Sequence, residues 1–241
     1  MAYNKQLIIS QAVKARIKFK FGTNTNIDIF EKLKQNDNFT IVFMPFDDSI
    51  DGFSSKRKDH YIIIINSRNT KSRMNFTCAH ELYHLLYEYN ENDEYIGTKK
   101  TESAADIFAS YFLIPEEALY LFLLDNDLIH KNKLTIKDIV KIEEYFQISR
   151  QALLIRLKDE GLINNDEFDS FNRNVALSRK KYGSSKATEL TGVDNKKYTI
   201  GEYNKLAKEL LDKNMISYGK YQEYMIDAFN SSDVLGNTED N

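Results

Sequence analysis

Apolar residues recur at a spacing of three or four along most of the chain, and one nearly continuous apolar run interrupts that pattern. The spacing predicts helices over residues 3–20 and 26–35. Residues 39–44 are typical of a strand that Pro45 closes. Residues 53–65 predict a hairpin whose second strand, which holds the apolar run, is buried. We therefore expect a mostly helical α+β fold with a small antiparallel sheet.

Helical spacing resumes after the predicted sheet. One helix surrounds His80, a second surrounds Glu102, and a third covers residues 116–125. Two shorter helices begin at Thr135 and Ser149, and the tight turn between them makes the pair resemble a helix-turn-helix. Their few basic residues are offset by acidic ones, which favours packing against the rest of the chain over DNA binding.

Composition narrows the function classes. A net charge of −3 carries no overall signature of a nucleic-acid or membrane partner. The single cysteine, Cys78, excludes a disulfide framework. No apolar run approaches the ~20 residues of a membrane span, and no segment resembles a secretory signal. We therefore expect a cytoplasmic protein that engages no membrane.

The candidate chemistry starts with one motif. His80, Glu81 and His84 form H-E-x-x-H on a segment with helical apolar spacing. Residues four apart lie on one helix face, so His80 and His84 can hold one metal ion. Glu81 is rotated by about 100° from His80, close to the metal but not bound to it, which is the position of a general base. Only four histidines occur in the chain, and two of them lie here, which favours a metal site over a chance pairing.

A second motif follows on the next predicted helix. Glu102 comes eighteen residues after His84, and Asp106 comes four residues later. A catalytic zinc needs three protein ligands and one open position, and Glu102 can be the third ligand. Asp106 lies one turn further along the same face, where it can accept a proton from the ring nitrogen of a ligand histidine that is not on the metal. The sequence thus predicts one Zn²⁺ per chain.

The two motifs resemble those of the ImmA/IrrE family of zinc metallopeptidases, F-T-x-A-H-E-x-x-H followed by E-x-x-A-N-x-F-A-x-x-L-L-M-P. The matching positions are Phe76, Thr77, Ala79, His80, Glu81, His84, Glu102, Ala105, Phe108, Ala109, Leu113 and Pro115. The chain departs at Asp106, where the family often has Asn, and at Ile114, where it often has Met. Asp106 is closer to the general gluzincin pattern, which strengthens its role beside the ligands. The resemblance is specific over about residues 50–160.

The motifs, the helical spacing and the composition along the chain predict its division into domains. We expect a zincin-like metallopeptidase domain over residues 1–130 and a helix-turn-helix-like hairpin packed on it over residues 131–163. Residues 164–198 are rich in Asn, Ser, Lys and Gly and predict a linker or mobile region. Helical spacing returns over residues 199–230 as a small C-terminal helical subdomain. The polar, acidic residues 231–241 predict a disordered tail.

The implied activity is peptide bond hydrolysis with Glu81 as the general base. The resemblance further implies one regulatory cut in a specific protein, such as a helix-turn-helix repressor of a mobile element or stress response. Two alternatives stay open: a protein- or DNA-binding regulatory module on a peptidase fold, and a toxin–antitoxin component. Intact Glu81 favours the enzyme, because a scaffold needs no general base. Three tyrosines are candidates to assist the oxyanion: Tyr83, Tyr87 and Tyr111.

Overall fold

The computed structural model describes residues 4–47, 49–90, 95, 101–131, 133–183 and 197–229. The helices are α1 (Lys5–Lys18), α2 (Ile29–Lys34), α3 (Lys71–Tyr87), α4 (Glu102–Leu113), α5 (Glu116–Asp125), α6 (Ile136–Phe146), α7 (Arg150–Asp159), α8 (Asn165–Phe171), α9 (Val175–Tyr182), α10 (Tyr203–Asp212) and α11 (Tyr218–Ala228). The strands are β1 (Phe39–Met44), β2 (Gly52–Arg57), β3 (His60–Asn66) and β4 (Tyr198–Gly201). The mostly helical α+β fold is confirmed.

The sheet is mixed, so the prediction of an antiparallel sheet is wrong in one pairing. The strand order is β2–β3–β1–β4, with β3 parallel to β1. β2 pairs antiparallel with β3, and β4 pairs antiparallel with β1. The predicted hairpin of β2 and β3 is present. After β1 the chain first forms the edge strand β2, and β3 then fills the position between β2 and β1. β3 is an inner strand covered by α3, and its Ile63 and Ile65 side chains are fully buried, which accounts for part of its nearly continuous apolar sequence.

The helix with the H-E-x-x-H motif, α3, packs against β2 and β3 on one side and against α4 on the other. The Thr70 hydroxyl caps its first turn by accepting a hydrogen bond from the Arg73 N–H. Gly52 of β2 lies so close to α3 that a β-carbon there would be 2.6 Å from Cγ2 of Thr77 and from the Ile64 carbonyl oxygen. A larger residue at this position would force β2 away from α3.

A buried arginine, Arg16, attaches α1 to the end of α4. Its guanidinium donates hydrogen bonds to the carbonyl oxygens of Gly22, Thr25 and Phe112. Burial lowers the pKa of Arg16 to about 10, which leaves the side chain charged at neutral pH. The bond to Phe112 connects α1 to the C-terminal end of the helix that carries Glu102.

The predicted helical pair forms α6 and α7. Thr135 and Asp138 form a capping box at the start of α6, and Ser149 caps α7. The turn between the two helices is attached to α3, because the Asn75 amide donates to the Gln147 carbonyl oxygen at 3.0 Å. α7 also contacts α4. The pair therefore packs on the two helices that carry the sequence motifs.

The first part of residues 164–198, predicted as a linker or mobile region, holds α8 and α9. Asn164 forms a capping box with Glu167 and starts α8. The polar composition concealed these helices, because they bury few side chains of their own and α9 is attached to α6 by charged contacts. Residues 184–196 of the predicted linker lie outside the described ranges.

Those charged contacts centre on one buried carboxylate, Glu143 of α6. Its two oxygens accept hydrogen bonds from Arg150 of α7 at 2.8 Å and from Arg179 of α9 at 2.9 Å. Arg150 also donates to the Phe171 carbonyl oxygen and to the Ser178 hydroxyl. A single acidic side chain thus joins three helices.

We predict that Glu143→Ala lowers the free energy of unfolding by about 3–5 kcal/mol, because two guanidinium groups lose the carboxylate that they share. Urea denaturation of the metal-loaded protein measures this change. Glu116→Ala, at an exposed position on α5, serves as the control and should shift stability by less than about 1 kcal/mol. Equal stabilities of the two variants would contradict the prediction.

The C-terminal segment joins the sheet. Tyr198 lies opposite Phe43 of β1, and their rings stack with centroids 4.2 Å apart. The Thr199 hydroxyl donates to the carbonyl oxygen of Ala228 at 2.9 Å, which connects β4 to the end of α11. The predicted helical subdomain over residues 199–230 therefore includes part of a strand that belongs to the sheet of the first domain. The predicted tail lies outside the described ranges.

One stretch, Glu102–Asp125, is long and apolar enough to cross a membrane by length and composition alone. It comprises α4 and α5, which are separated at Pro115, and 61% of its most apolar window is buried inside the protein. Most of this apolar window therefore belongs to the core of the protein. The cytoplasmic location stays a prediction.

Candidate metal centre

The two motifs meet where α4 packs against α3. His80 and His84 lie on one face of α3, and their ring centroids are 4.8 Å apart. Glu102 and Asp106 lie on the first two turns of α4. Packing of these two helices brings all the residues of both motifs into one site.

Both histidines are held between carboxylates. Nε2 of His80 lies 3.2 Å from Oε2 of Glu102, and its Nδ1 lies 3.0 Å from Oδ1 of Asp106. Nδ1 of His84 lies 2.6 Å from Oε2 of Glu88, and its Nε2 lies 3.8 Å from Oε1 of Glu102. Both imidazoles therefore turn Nε2 toward the same carboxylate, and each Nδ1 has a carboxylate of its own.

This donor set fits a divalent metal ion. Two imidazole nitrogens and one carboxylate are a ligand set of catalytic zinc sites. A carboxylate beside Nδ1 keeps the proton on that nitrogen, so Nε2 presents the lone pair that a metal needs. His80, Glu81 and His84 also offer ligand atoms that all lie within 4.8 Å of one another. The Glu102 oxygens face both Nε2 atoms, so Glu102 is placed where a third ligand could complete the set.

Glu81 has the surroundings of a general base. Its side chain is buried beside the histidines, and its carbonyl oxygen lies 3.4 Å from the Ser54 hydroxyl of β2. Burial raises the pKa of the Glu81 carboxyl, against the lowering effects of Ser54 and the two histidines. A carboxylate with a raised pKa accepts protons more readily near neutral pH.

The electrostatics of His80 couple metal binding to pH. Burial alone would lower the pKa of His80, but the hydrogen bond with Asp106 and the charges of Glu81, Asp106 and Glu102 outweigh it and raise that pKa. Since a ligand imidazole must lose its proton, metal affinity falls as the pH drops through the raised pKa.

Two residues at the site were missed by the sequence analysis. Glu88 is 3% exposed and bonded to His84, and its spacing of four residues from that histidine is a helical pattern that could have identified it. Tyr95 lies with its hydroxyl 3.5 Å from Nδ1 of His84. Burial and the neighbouring Glu88 carboxylate raise the pKa of Tyr95. No local spacing indicates Tyr95.

The three tyrosines considered from the sequence lie in different surroundings. The Tyr83 ring lies against His84, with centroids 5.9 Å apart. The Tyr87 hydroxyl donates to the Gln11 carbonyl oxygen at 3.0 Å, on α1. The guanidinium of Arg156 lies over the Tyr111 ring, with its Cζ atom 3.7 Å from the ring centroid. Contacts to other elements therefore engage Tyr87 and Tyr111, whereas the Tyr95 hydroxyl lies beside His84.

We predict that Asp106→Ala lowers metal affinity by about 10–100-fold, because His80 loses the carboxylate that orients its ring. Asp106→Asn should have a milder effect, since an amide still offers an acceptor oxygen to Nδ1. Competition against a chromophoric chelator measures both affinities. An unchanged affinity in Asp106→Ala would remove Asp106 from the site.

The fold and the site together define a class of protein: an α+β domain whose H-E-x-x-H helix faces a second helix with a carboxylate ligand is the arrangement of metallopeptidases. The family model of the IrrE N-terminal-like domain, peptidase family M78, matches residues 35–158. The chain belongs to this family, and the resemblance found in the two motifs is confirmed. No curated protein matches the chain significantly.

Proposed function

We propose that this protein is a zinc-dependent endopeptidase that makes a regulatory cut in a specific protein substrate. The observation that carries the proposal is the position of Glu102, whose two oxygens face Nε2 of both His80 and His84. Membership of a peptidase family supports hydrolysis, and the donor set supports zinc.

The mechanism assigns a task to each residue at the site. His80, His84 and Glu102 would hold the zinc, which supplies a Lewis acid that activates water and polarises the scissile carbonyl. Glu81 takes a proton from the attacking water and returns it to the leaving amine. Asp106 and Glu88 keep the two imidazoles oriented and hold their protons on Nδ1.

The proposed substrate is a protein, and specifically a helix-turn-helix repressor of a mobile element or stress response. The family resemblance supports this choice. DNA is the less favoured partner of the α6–α7 pair, because two of its arginines are buried: Arg150 is 2% exposed and Arg156 is 0% exposed. Buried guanidiniums cannot reach the phosphates that dominate the affinity for DNA.

The test is incubation of the zinc-loaded protein with the product of the neighbouring gene as the candidate repressor, followed by intact mass spectrometry. We expect two fragments from one cut, and we expect none when a chelator is present. An intact repressor that nevertheless binds the protein would favour the alternative, a binding module on a peptidase fold. A different result would be that expression of this protein arrests cell growth and co-expression of the neighbouring protein restores it. That result would favour the toxin–antitoxin alternative.

A further inference from the structure

A cavity of about 670 Å³ lies between α3, α4, α7 and α9. Asp106 lines this cavity and also contacts His80, so the cavity adjoins the metal centre. Its volume is in the range of ligand sites that hold part of a peptide. Phe76, Ile107 and Ile155 contribute an apolar part to its lining. A cavity next to a hydrolytic centre is a place where side chains of the substrate can be selected.

The parts of the lining from α7 and α9 carry two positive charges with little exposure to solvent. Arg150 is 2% exposed, and the Arg179 side chain is 12% exposed; both line the cavity. Both guanidiniums form ion pairs with the same carboxylate, Glu143. Buried charges that are incompletely paired are costly, so this wall favours a ligand that brings negative charge.

The acidic residues that line the cavity are engaged with other groups. Asp106 lies against His80, and Asp159 forms an ion pair with Lys5 at 3.0 Å. Arg73, a third arginine in the lining, is paired with Asp51 at an exposed position, where such a pair contributes little. Among the described residues, Arg150 and Arg179 are therefore paired with one acidic side chain, Glu143, which they share.

Two buried polar atoms in residues of the lining have no hydrogen-bond partner among the described residues. One is Nε of Arg150, and the other is the hydroxyl oxygen of Ser110, a residue that is 7% exposed. Buried polar groups are normally satisfied. The start of α7, at Ser149 and Gln151, also lines the cavity and brings the positive end of a helix dipole to it. The positive end of α7 and Arg150 therefore lie together in the lining, and Ser110 of α4 belongs to the same lining.

We propose that this cavity is a specificity pocket that binds an acidic side chain of the substrate close to the scissile bond. The inference rests on the proposed function, since it takes the ligand to be a peptide. Within the protein, Arg150 and Arg179 share one negative charge, that of Glu143. A carboxylate of the substrate would supply a second one. The apolar lining around Ile155 would receive a neighbouring apolar residue of the same peptide.

Peptide binding tests the pocket separately from catalysis. The zinc-loaded Glu81→Gln protein is immobilised and exposed to two pools of random dodecapeptides. The first pool contains Asp and Glu, and the second has Asn and Gln in their place. We expect about tenfold stronger retention of the acidic pool, the factor that corresponds to one charge-assisted hydrogen bond.

Two further variants show where the acidic residue binds. Ile155 lines the cavity and is 45% exposed, so Ile155→Glu adds a negative charge to the pocket without disturbing the core. We expect this variant to lose the preference for the acidic pool and Ile155→Lys to keep it. Leu124→Glu places the same charge at a 52% exposed position on α5, and should leave the preference unchanged.

Three results would overturn the proposed acidic specificity of the pocket. They are equal retention of both pools, a preference for the acidic pool that survives Ile155→Glu, and binding of inorganic phosphate with retention of neither pool. Cleavage of the same peptides by the wild-type protein is scored separately. Peptide cleavage without an acidic preference would contradict the pocket and leave the hydrolase intact. An acidic preference without any cleavage would contradict the hydrolase and leave the pocket intact.

Discussion

Glu81→Gln is expected to lower the rate of substrate cleavage by about a hundredfold to ten-thousandfold while the protein keeps its metal. The amide has nearly the shape of the carboxylate but cannot accept the proton of the attacking water. Because Glu102, not Glu81, faces both Nε2 atoms, the ligand set stays complete in this variant. Quantitative mass spectrometry of the cleaved repressor measures the rate, and elemental analysis measures the metal.

Glu116→Gln is the matched control, because it makes the same chemical change at an exposed position on α5. It should cleave at the wild-type rate. If Glu81→Gln acted on the substrate as fast as the control, the enzyme assignment would fail and the binding module would take its place. Loss of metal from Glu81→Gln would instead show that Glu81 is a ligand.

The second large effect is expected from replacing both ligand histidines. In the double variant His80→Ala, His84→Ala, bound metal should fall from about one ion per chain to none detectable, because one carboxylate alone does not hold zinc. The variant should also lose the thermal stabilisation that added zinc gives the wild-type protein, since a ligand stabilises only a fold that binds it.

His130→Ala serves as the control, since His130 is exposed in the turn after α5. It should bind metal and respond to zinc as the wild-type protein does. Full metal occupancy in the double variant would contradict the ligand assignment. A control that lost metal equally would point to general unfolding instead of a lost ligand.

The part of the site that could be predicted from the sequence lies within single helices. His80 and His84 share a face at a spacing of four residues, and the same period connects Glu102 and Asp106 on the next helix. Helical geometry fixes these relations before any tertiary packing occurs. The pairing of one helix with the other was inferred from the need of a catalytic zinc for a third ligand, and the contacts at 3.0 and 3.2 Å between His80 and α4 agree with it.

Residues that act through tertiary contacts were not predictable in the same way. Glu88 has the right spacing, but an acidic residue at a helix end is usually solvated, and only its burial against His84 makes it part of the site. Arg150 and Arg179 are 29 residues apart in the sequence. Their shared carboxylate becomes visible only when α6, α7 and α9 are packed together.

The errors in the predicted fold have a similar origin. The apolar run of β3 indicated a buried strand, but its parallel partner depends on where the chain crosses after β1. Strand β4 is four residues long and comes from the opposite end of the chain, so a local pattern could not join it to β1. Capping residues predicted helix starts well at Thr135 and Ser149, because a cap is a local interaction.

The central claim is that His80, His84 and Glu102 hold one zinc ion in this site. A crystal of the zinc-loaded protein, measured on both sides of the zinc absorption edge, tests it most directly. We expect a single strong anomalous peak per chain, about 2.0–2.2 Å from Nε2 of each histidine and from a Glu102 oxygen. A peak bound by Glu81 in place of Glu102, or a zinc ion elsewhere in the protein, would contradict the claim.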